Sequence, residues 1–391
     1  MSQRRISLSD DLVRLREDGY EVRWIADHLV IEHVPYVTPG KEVAYGRLVS
    51  TLELAGEVTV KPTEHVVYFA GETPCDATGQ PLGKVVHSSE HRVLAEGLEV
   101  DHMFSRNPEG GYRDYHQKMT VHVGLLGRHA KELDPKATAL VFPVYEDDEE
   151  DPRFVYSDTA STRAQITVYS ERLREYKIAI VGLGGTGSYV LDLVTKTPVK
   201  EIHLWDGDRF VQHNAFRGPG ASSAEQLVEV PQKVDYWAEQ YARMKLGISA
   251  HDCLVDEWNV HELRSMDFVF LCIDDGPSRK MIVEKLEEFG VAFTDTGLGV
   301  YHGEQGLAGV VRTTTSTPEY RGAKRRLPFQ TAAPDDYERN IQVADLNALN
   351  ATMAVIRWKK QAGFYAAIEQ EREHESTYAI FDNELINEER G

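Results

Sequence analysis

Residues 178–188 read IAIVGLGGTGS, a short apolar run that turns directly into a cluster of glycines. Gly182, Gly184 and Gly187 satisfy the spacing G-x-G-x-x-G, and Gly185 adds a fourth glycine. Glycines let a backbone approach a phosphate closely, and a helix placed directly after them aims its free N–H groups at the negative charge. The stretch therefore predicts a buried strand, a tight turn and a helix arranged round the phosphates of a nucleotide. It leaves open whether the adenosine belongs to a redox cofactor or to ATP.

Working outward, strand and helix patterns alternate. TGSYVLDLVTKTP (186–198) reads as a helix stopped at Pro198, EIHLWDGD (201–208) as a second strand and EVPQKVDYWAEQYARMKLG (229–247) as one long helix. MDFVFLCIDD (266–275) reads as a third strand, GPSRKMIVEKLEEFG (276–290) as a helix and VAFTDTGLG (291–299) as a fourth strand. DLNALNATMAVIRWKKQAG (345–363) reads as a late, mostly apolar helix. Short apolar strands between amphipathic helices imply a parallel sheet covered on both faces.

The chain has 391 residues, 41% of them hydrophobic and 27% charged, with a formal net charge of −20. Length alone favours two domains. The acidic run YEDDEEDP (145–152) marks a linker between an α+β region, residues 1–150, and the α/β region, residues 155–391. In the first region LSDDLVRLREDG (8–19) and DYHQKMTVHVGLLGRHAKELDP (114–135) read as helices, and residues 20–37 and 64–82 as strands and hairpins. In HSSEH (87–91) the spacing of His87 and His91 puts both on one face of a helix. No apolar run approaches the roughly 20 residues that span a bilayer, and MSQRRISLSDDL is too polar for a secretion signal, so the expected compartment is the cytoplasm. Three cysteines are too few for a disulfide framework or a four-cysteine zinc site. The strong negative charge disfavours nucleic acid and anionic membranes as partners.

The residues after the second strand decide the nucleotide question. In a dinucleotide site the acidic residue ending that strand binds the ribose, and Asp206 stands there. Residues 206–217, DGDRFVQHNAFR, then supply Asp208, Asn214 and Arg217; Lys233 comes in the next helix, and the third strand ends in Asp274 and Asp275, with Arg279 beyond. Cations, an amide and a carboxylate gathered at one sheet edge suit a triphosphate with its metal better than hydride transfer.

The series IVGLGGTG, WDGDRFVQHNAFR, Lys233 and CIDDGPSR resembles the ThiF/MoeB/HesA adenylyltransferases, relatives of ubiquitin-activating enzymes, over roughly residues 155–380. The resemblance implies a Rossmann-like, mostly parallel α/β sheet preceded by the smaller α+β domain. It implies a nucleotide loop of Gly182, Gly184, Gly185 and Gly187, with Asp206 on the ribose and Asp208 in the same nucleotide-binding set. Asn214, Arg217 and Lys233 then contact the phosphates and Asp274 binds Mg²⁺. The family also delivers an arginine from a partner subunit. Arg163 in STRAQI (161–166) stands at about that position, with Arg172 and Arg174 as competitors. The implied reaction is ATP-dependent adenylation of the C-terminal glycine carboxylate of a ubiquitin-like β-grasp protein, by a homodimer with the late helix at or beside its interface, and with a downstream conjugating enzyme as a further partner. Adenylation of a small or tRNA-attached carboxylate, and a non-catalytic nucleotide-binding adaptor, are the alternatives.

The chain departs from many such relatives after the fourth strand, where residues 312–340 contain no cysteine. A thioester is therefore not expected. The product is either a free acyl-adenylate or an ester on a hydroxyl among Thr313–Thr317. Cys272, inside the third predicted strand, reads as a buried core thiol. Arg321, Lys324, Arg325 and Arg326 form a basic cluster in the same loop, read as a solvated face or as a contact for an acidic patch on a protein substrate or for RNA.

Overall fold

The computed structural model describes residues 6–146, 151–330, 341–366, 375–380 and 383–388. The chain divides into two compact units, Met1–Pro152 and Arg153–Gly391. Most of the acidic run expected as a linker, residues 147–150, lies outside the described residues.

The first unit opens with α1 (Asp10–Glu17), then β1 (Val22–Ile25), β2 (His28–Val37), β3 (Val43–Thr51), the short pair β4 (Leu54–Ala55) and β5 (Val58–Thr59), β6 (Val66–Ala70), β7 (Val86–Ala95), β8 (Leu98–Ser105) and α2 (Tyr115–Leu133). Six strands make an antiparallel sheet in the order β1-β2-β3-β6-β8-β7. Leu12 and Leu15 of α1 and Met119 and Leu126 of α2 pack with Leu29, Ile31, Phe69 and Phe104 of the sheet. The HSSEH segment is part of β7, not a helix, because it pairs along β8. His91 there lies 3.1 Å from Asp101 and 3.7 Å from Glu99 of the neighbouring strand. Among the described residues no group of three or more His, Cys, Asp or Glu side chains could hold a metal ion.

The second unit carries α3 (Thr159–Arg163), α4 (Thr167–Ser170), β9 (Lys177–Val181), α5 (Gly185–Thr195), β10 (Glu201–Trp205), α6 (Gln212–Ala215), α7 (Ala224–Glu229), α8 (Lys233–Ala242), β11 (Ile248–His251), β12 (Phe268–Leu271), α9 (Gly276–Phe289), β13 (Ala292–Gly303), β14 (Gly306–Ser316), α10 (Ala344–Gln361), β15 (Glu375–Ala379) and β16 (Glu384–Glu388). Its eight-stranded sheet has the order β11-β10-β9-β12-β13-β14-β15-β16. The first five strands are parallel and the last three antiparallel. Alternate residues of β9 face opposite layers: Ile178 and Ile180 pack with α5, α8 and α10, and Ala179 and Val181 with α9. This is the Rossmann-like α/β fold, with an α+β unit before it.

Each difference from the sequence reading has a physical cause. Pro231 lacks an N–H, and Val230 before it takes a left-handed conformation at φ 46°, so the single helix expected over 229–247 is α7 and α8. The strand expected over 266–275 ends at Leu271, and Asp275 instead caps α9 by accepting from Ser278 N at 2.8 Å. The late helix forms, but its apolar stripe (Ala351, Ala354, Val355, Trp358) packs within the chain's own core beside Val190 and Leu191 of α5. The 313–317 segment is not a loop: Thr313, Thr314, Thr315 and Ser316 are buried in β14, between β13 and β15. Its hydroxyls find partners inside, as in the 2.8 Å contact of Thr315 Oγ1 with Thr294 Oγ1, which is how so polar a run becomes a core strand. Among the described residues no helix is long and apolar enough to cross a membrane.

Not every buried group has such compensation. Lys118 of α2 is fully buried, and its Nζ has no hydrogen-bond partner among the described residues, lying 5.7 Å from the Tyr115 ring centre. Burial pulls its pKa down to about 8 against the opposing pull of Glu53 and Glu64, and pulls neighbouring His122 down to about 4. The unfolded chain binds more protons than the folded one wherever such a base is depressed, so stability rises with pH through both windows. The first unit should lose stability as pH falls from about 6.5 to 4 and gain it from about 8 to 10.5. Lys118→Met should abolish the upper rise and add on the order of 3 kcal/mol at pH 7, measured by hydrogen exchange of α2 across a urea series.

Candidate functional site

Strand order reverses between β9 and β12, and at the C-terminal ends of β9, β10 and β12 the glycine turn leads into α5. Ligands of open α/β sheets bind at such a switch point. The four glycines do different things. Gly182 turns the chain at φ +89°, where a Cβ would lie 2.6 Å from Cys272 O. A Cβ on Gly187 would lie 1.9 Å from Gly182 O, so its absence lets α5 start against β9. A Cβ on Gly185 would lie 1.9 Å from Nδ2 of Asn347 in α10. Gly184 caps α5 without a side-chain hydrogen bond, and a Cβ there would meet nothing within 4 Å. The open space coincides with a helix start that has no side-chain cap among the described residues.

Asp206 first serves the loop itself. Its Oδ2 accepts from Leu183 N at 2.6 Å and its Oδ1 from Asp208 N at 2.9 Å, leaving the residue buried. Lys233, at the start of α8, is buried with Nζ 2.6 Å from Asp208 Oδ2 and 3.4 Å from Asp206 Oδ1. The solvent-facing carboxylate of this pair is Asp208, with a side chain 71% exposed. Gly207 between them abuts Leu254, whose Cγ would be 3.3 Å from an added Cβ and whose side chain is otherwise exposed.

Asn214 is buried on α6, where its Oδ1 accepts from Val211 N at 2.9 Å while its Nδ2 has no partner among the described residues. Arg217 Nε is likewise buried without a partner among them. Burial lowers the Arg217 pKa, opposed by the fields of Asp274, Asp208 and Asp206. Asn214 Nδ2 and Arg217 Nε are thus two buried donors on one short turn without a partner among the described residues. Asp274, exposed in the loop after β12, completes the group.

Arg279 does not face the ligand space. It is buried on α9, where Nε donates to Asp295 Oδ1 at 2.8 Å, NH1 to Pro328 O at 2.9 Å and NH2 to Ile273 O beside Asp274. Arg312 binds the other oxygen of Asp295 at 2.9 Å. Sequence reading missed Asp295 and Asn347; the available signal was a carboxylate in an apolar strand and an asparagine in an apolar helical stripe. Arg163 is exposed on α3. Arg172 donates to Gly363 O, and Arg174 lies 3.9 Å from Glu171. In the basic cluster Arg321 is tied to Val291 O and Ser316 Oγ, at 3.0 and 3.3 Å, and Arg325 is exposed. Burial raises the pKa of all three thiols, Cys272 to about 12, so none is activated as a nucleophile.

Residues 158–383, more than half of the chain, match the ThiF family model, and the chain belongs to that family. Residues 10–159 match a domain of unknown function (DUF6791). The chain is similar to ubiquitin-like modifier-activating enzyme 5 of Oryza sativa subsp. japonica, 23% identical over 140 residues that cover 33% of each protein. The counterpart from Xenopus laevis is 23% identical over 150 residues, covering 36% of this chain and 38% of that protein. The chain thus spans about a third of the length of these curated relatives. Among solved structures it is similar to PaaA, with TM-score 0.48, 16% identity and coverage of 62% of this chain and 87% of that one. It is also similar to Escherichia coli MccB solved with ATP, with TM-score 0.45, 14% identity and coverage of 57% and 67%.

The glycine geometry separates packing from ligand contact. Gly187→Ala should lower the melting temperature sharply, whereas Gly184→Ala should leave it within about 2 °C of wild type. If Gly184 faces a nucleotide, only its variant should weaken ATP binding without a stability loss, read by calorimetry beside a thermal melt.

Proposed function

We propose that the chain uses ATP to adenylate a carboxylate, releasing pyrophosphate, and that the carboxylate is the C-terminal glycine of a small ubiquitin-like protein. The observation that carries this reading is the pair of buried donors without a partner among the described residues, Asn214 Nδ2 and Arg217 Nε, on the turn that Asn347 links to the first turn of α5, where Gly184 leaves open space. Membership of the ThiF family supports the reaction class, and the similarity to ubiquitin-like modifier-activating enzymes supports the substrate class.

A C-terminal carboxylate, with an ordinary pKa of about 3.3–3.7, is already ionised at pH 7 and needs no general base. The obstacle is bringing one anion to another. In this reading the first turn of α5, Asn214 and Arg217 hold the phosphate oxygens, and Asp208 with the remaining lone pairs of Asp206 receives the ribose hydroxyls. Leu254 against Gly207 offers the base an apolar wall. Lys233 keeps Asp206 and Asp208 from repelling one another and lends its charge to the site. Asp274, an exposed hard-oxygen donor, suits Mg²⁺, which when bound would neutralise phosphate charge and ease the departure of pyrophosphate. In this reading no thiol takes the acyl group, the hydroxyls of Thr313–Ser316 are buried in β14 and that of half-buried Thr317 accepts from Tyr320 N at 3.3 Å, which favours a free acyl-adenylate, passed to a downstream enzyme. Arg163 acts in this reading from the partner subunit of a homodimer in the cytoplasm.

ATP–pyrophosphate exchange dependent on a glycine-tailed β-grasp protein tests this reading. Asp274→Ala should abolish exchange, and Arg217→Ala should cost about 2.7–4 kcal/mol in the transition state. Tight NAD binding without ATP binding would overturn the proposal. Arg163→Ala and Asp274→Ala proteins, each inactive, should recover activity when mixed under subunit exchange; no recovery would place Arg163 outside the neighbouring site.

A further inference from the structure

We infer that Asn347 is a positioning residue whose buried carboxamide ties the start of α5 to the Asn214–Arg217 turn, holding the two halves of the anion cradle in one geometry. The inference rests on the reading of this cradle as an ATP site. Asn347 is fully buried on α10. Its Oδ1 accepts from Thr186 Oγ1 at 3.0 Å, on the first turn of α5, and its Nδ2 donates to Arg217 O at 3.2 Å. A carbonyl only accepts, so the amide orientation is dictated by Arg217. The space the amide occupies is the space a Cβ on Gly185 would need. Both partnerless donors belong to the turn whose carbonyl Asn347 holds, and that turn is one hydrogen-bonded piece, with Arg217 N donating to Asn214 O at 3.2 Å.

An amide is a costly choice for this position. Further along the same helix Ala351, Ala354, Val355 and Trp358 are buried apolar core, and an apolar residue would fill the site without having to be satisfied at both ends. What the amide adds is a fixed distance between the helix N-terminus and the Arg217 backbone. A carboxylate of the same size would keep the bond to Thr186, lose the donor to Arg217 O and set a negative charge beside the phosphate space.

The test uses full-length protein carrying Asn347→Asp, Thr186→Val or, as control, Asn350→Asp. Asn350 is equally buried on α10 but donates to Gly297 O at 3.0 Å, away from the cradle. Calorimetric titration with a non-hydrolysable ATP analogue and a thermal melt are read for each protein. Asn347→Asp should weaken binding about tenfold or more and Thr186→Val about threefold, with Asn350→Asp within about twofold of wild type whatever its melting temperature. In the exchange assay Asn347→Asp should raise KM for ATP more than it lowers kcat. If folded Asn347→Asp binds the analogue as wild type does, or if Asn350→Asp loses as much affinity, Asn347 is merely structural and the inference falls. Should Asn347→Asp fail to fold, unchanged binding by Thr186→Val overturns it equally. Wild-type protein that does not bind the analogue would instead overturn the functional reading beneath it.

Discussion

Between β9 and α5 the backbone turns in so little space that a methyl group at Gly187 would sit 1.9 Å from the carbonyl of Gly182. That closeness allows a helix to begin directly at the end of a central parallel strand, with no side-chain cap on its start among the described residues. The rest of the second unit is arranged to keep it. Asp206, at the end of the adjacent strand, accepts the Leu183 N–H and pins the loop. Cys272, after the strand on the other side, lies under Gly187. Asn347 fills the position Gly185 leaves vacant. Each neighbour is held at a distance that an ordinary side chain in the loop would forbid.

The charges obey a second constraint, that burial is tolerated where partners are supplied. Asp295 is wholly buried between Arg279 and Arg312, and burial pushes its carboxyl up while the two guanidiniums hold it down. Through Ile273 O and Pro328 O this triad fixes the loop that carries Asp274 to the segment after β14. Lys233 is satisfied by two aspartates. Among the described residues Asn214 Nδ2 and Arg217 Nε are two of the exceptions, and they lie on the turn that Asn347 links to the first turn of α5. Lys118 departs from it in the first unit, where α2 buries its ammonium in an apolar core with the Tyr115 ring for company.

Much of this was legible in the amino-acid sequence because its causes are local. Alternating apolar runs and glycine spacing are properties of neighbouring residues, and they determined the parallel sheet, the helix starts and the loop at 182–187. The order of Asp206, Asp208, Asn214, Arg217, Lys233 and Asp274 along the chain pointed to one sheet edge, since every strand of a parallel sheet ends on the same side. Only the tertiary structure decided what depends on contacts distant in sequence. It made a strand of Thr313–Ser316, whose polar composition reads as a loop until Thr294 partners the Thr315 hydroxyl, Ser376 O that of Thr313 and Arg321 that of Ser316. It turned Arg279 inward to Asp295, placed Lys233 between two carboxylates, and brought Asn347 to Gly185 and Arg217 from more than a hundred residues away. A propensity belongs to a residue and its neighbours, whereas a buried hydrogen bond belongs to whichever groups the fold brings together.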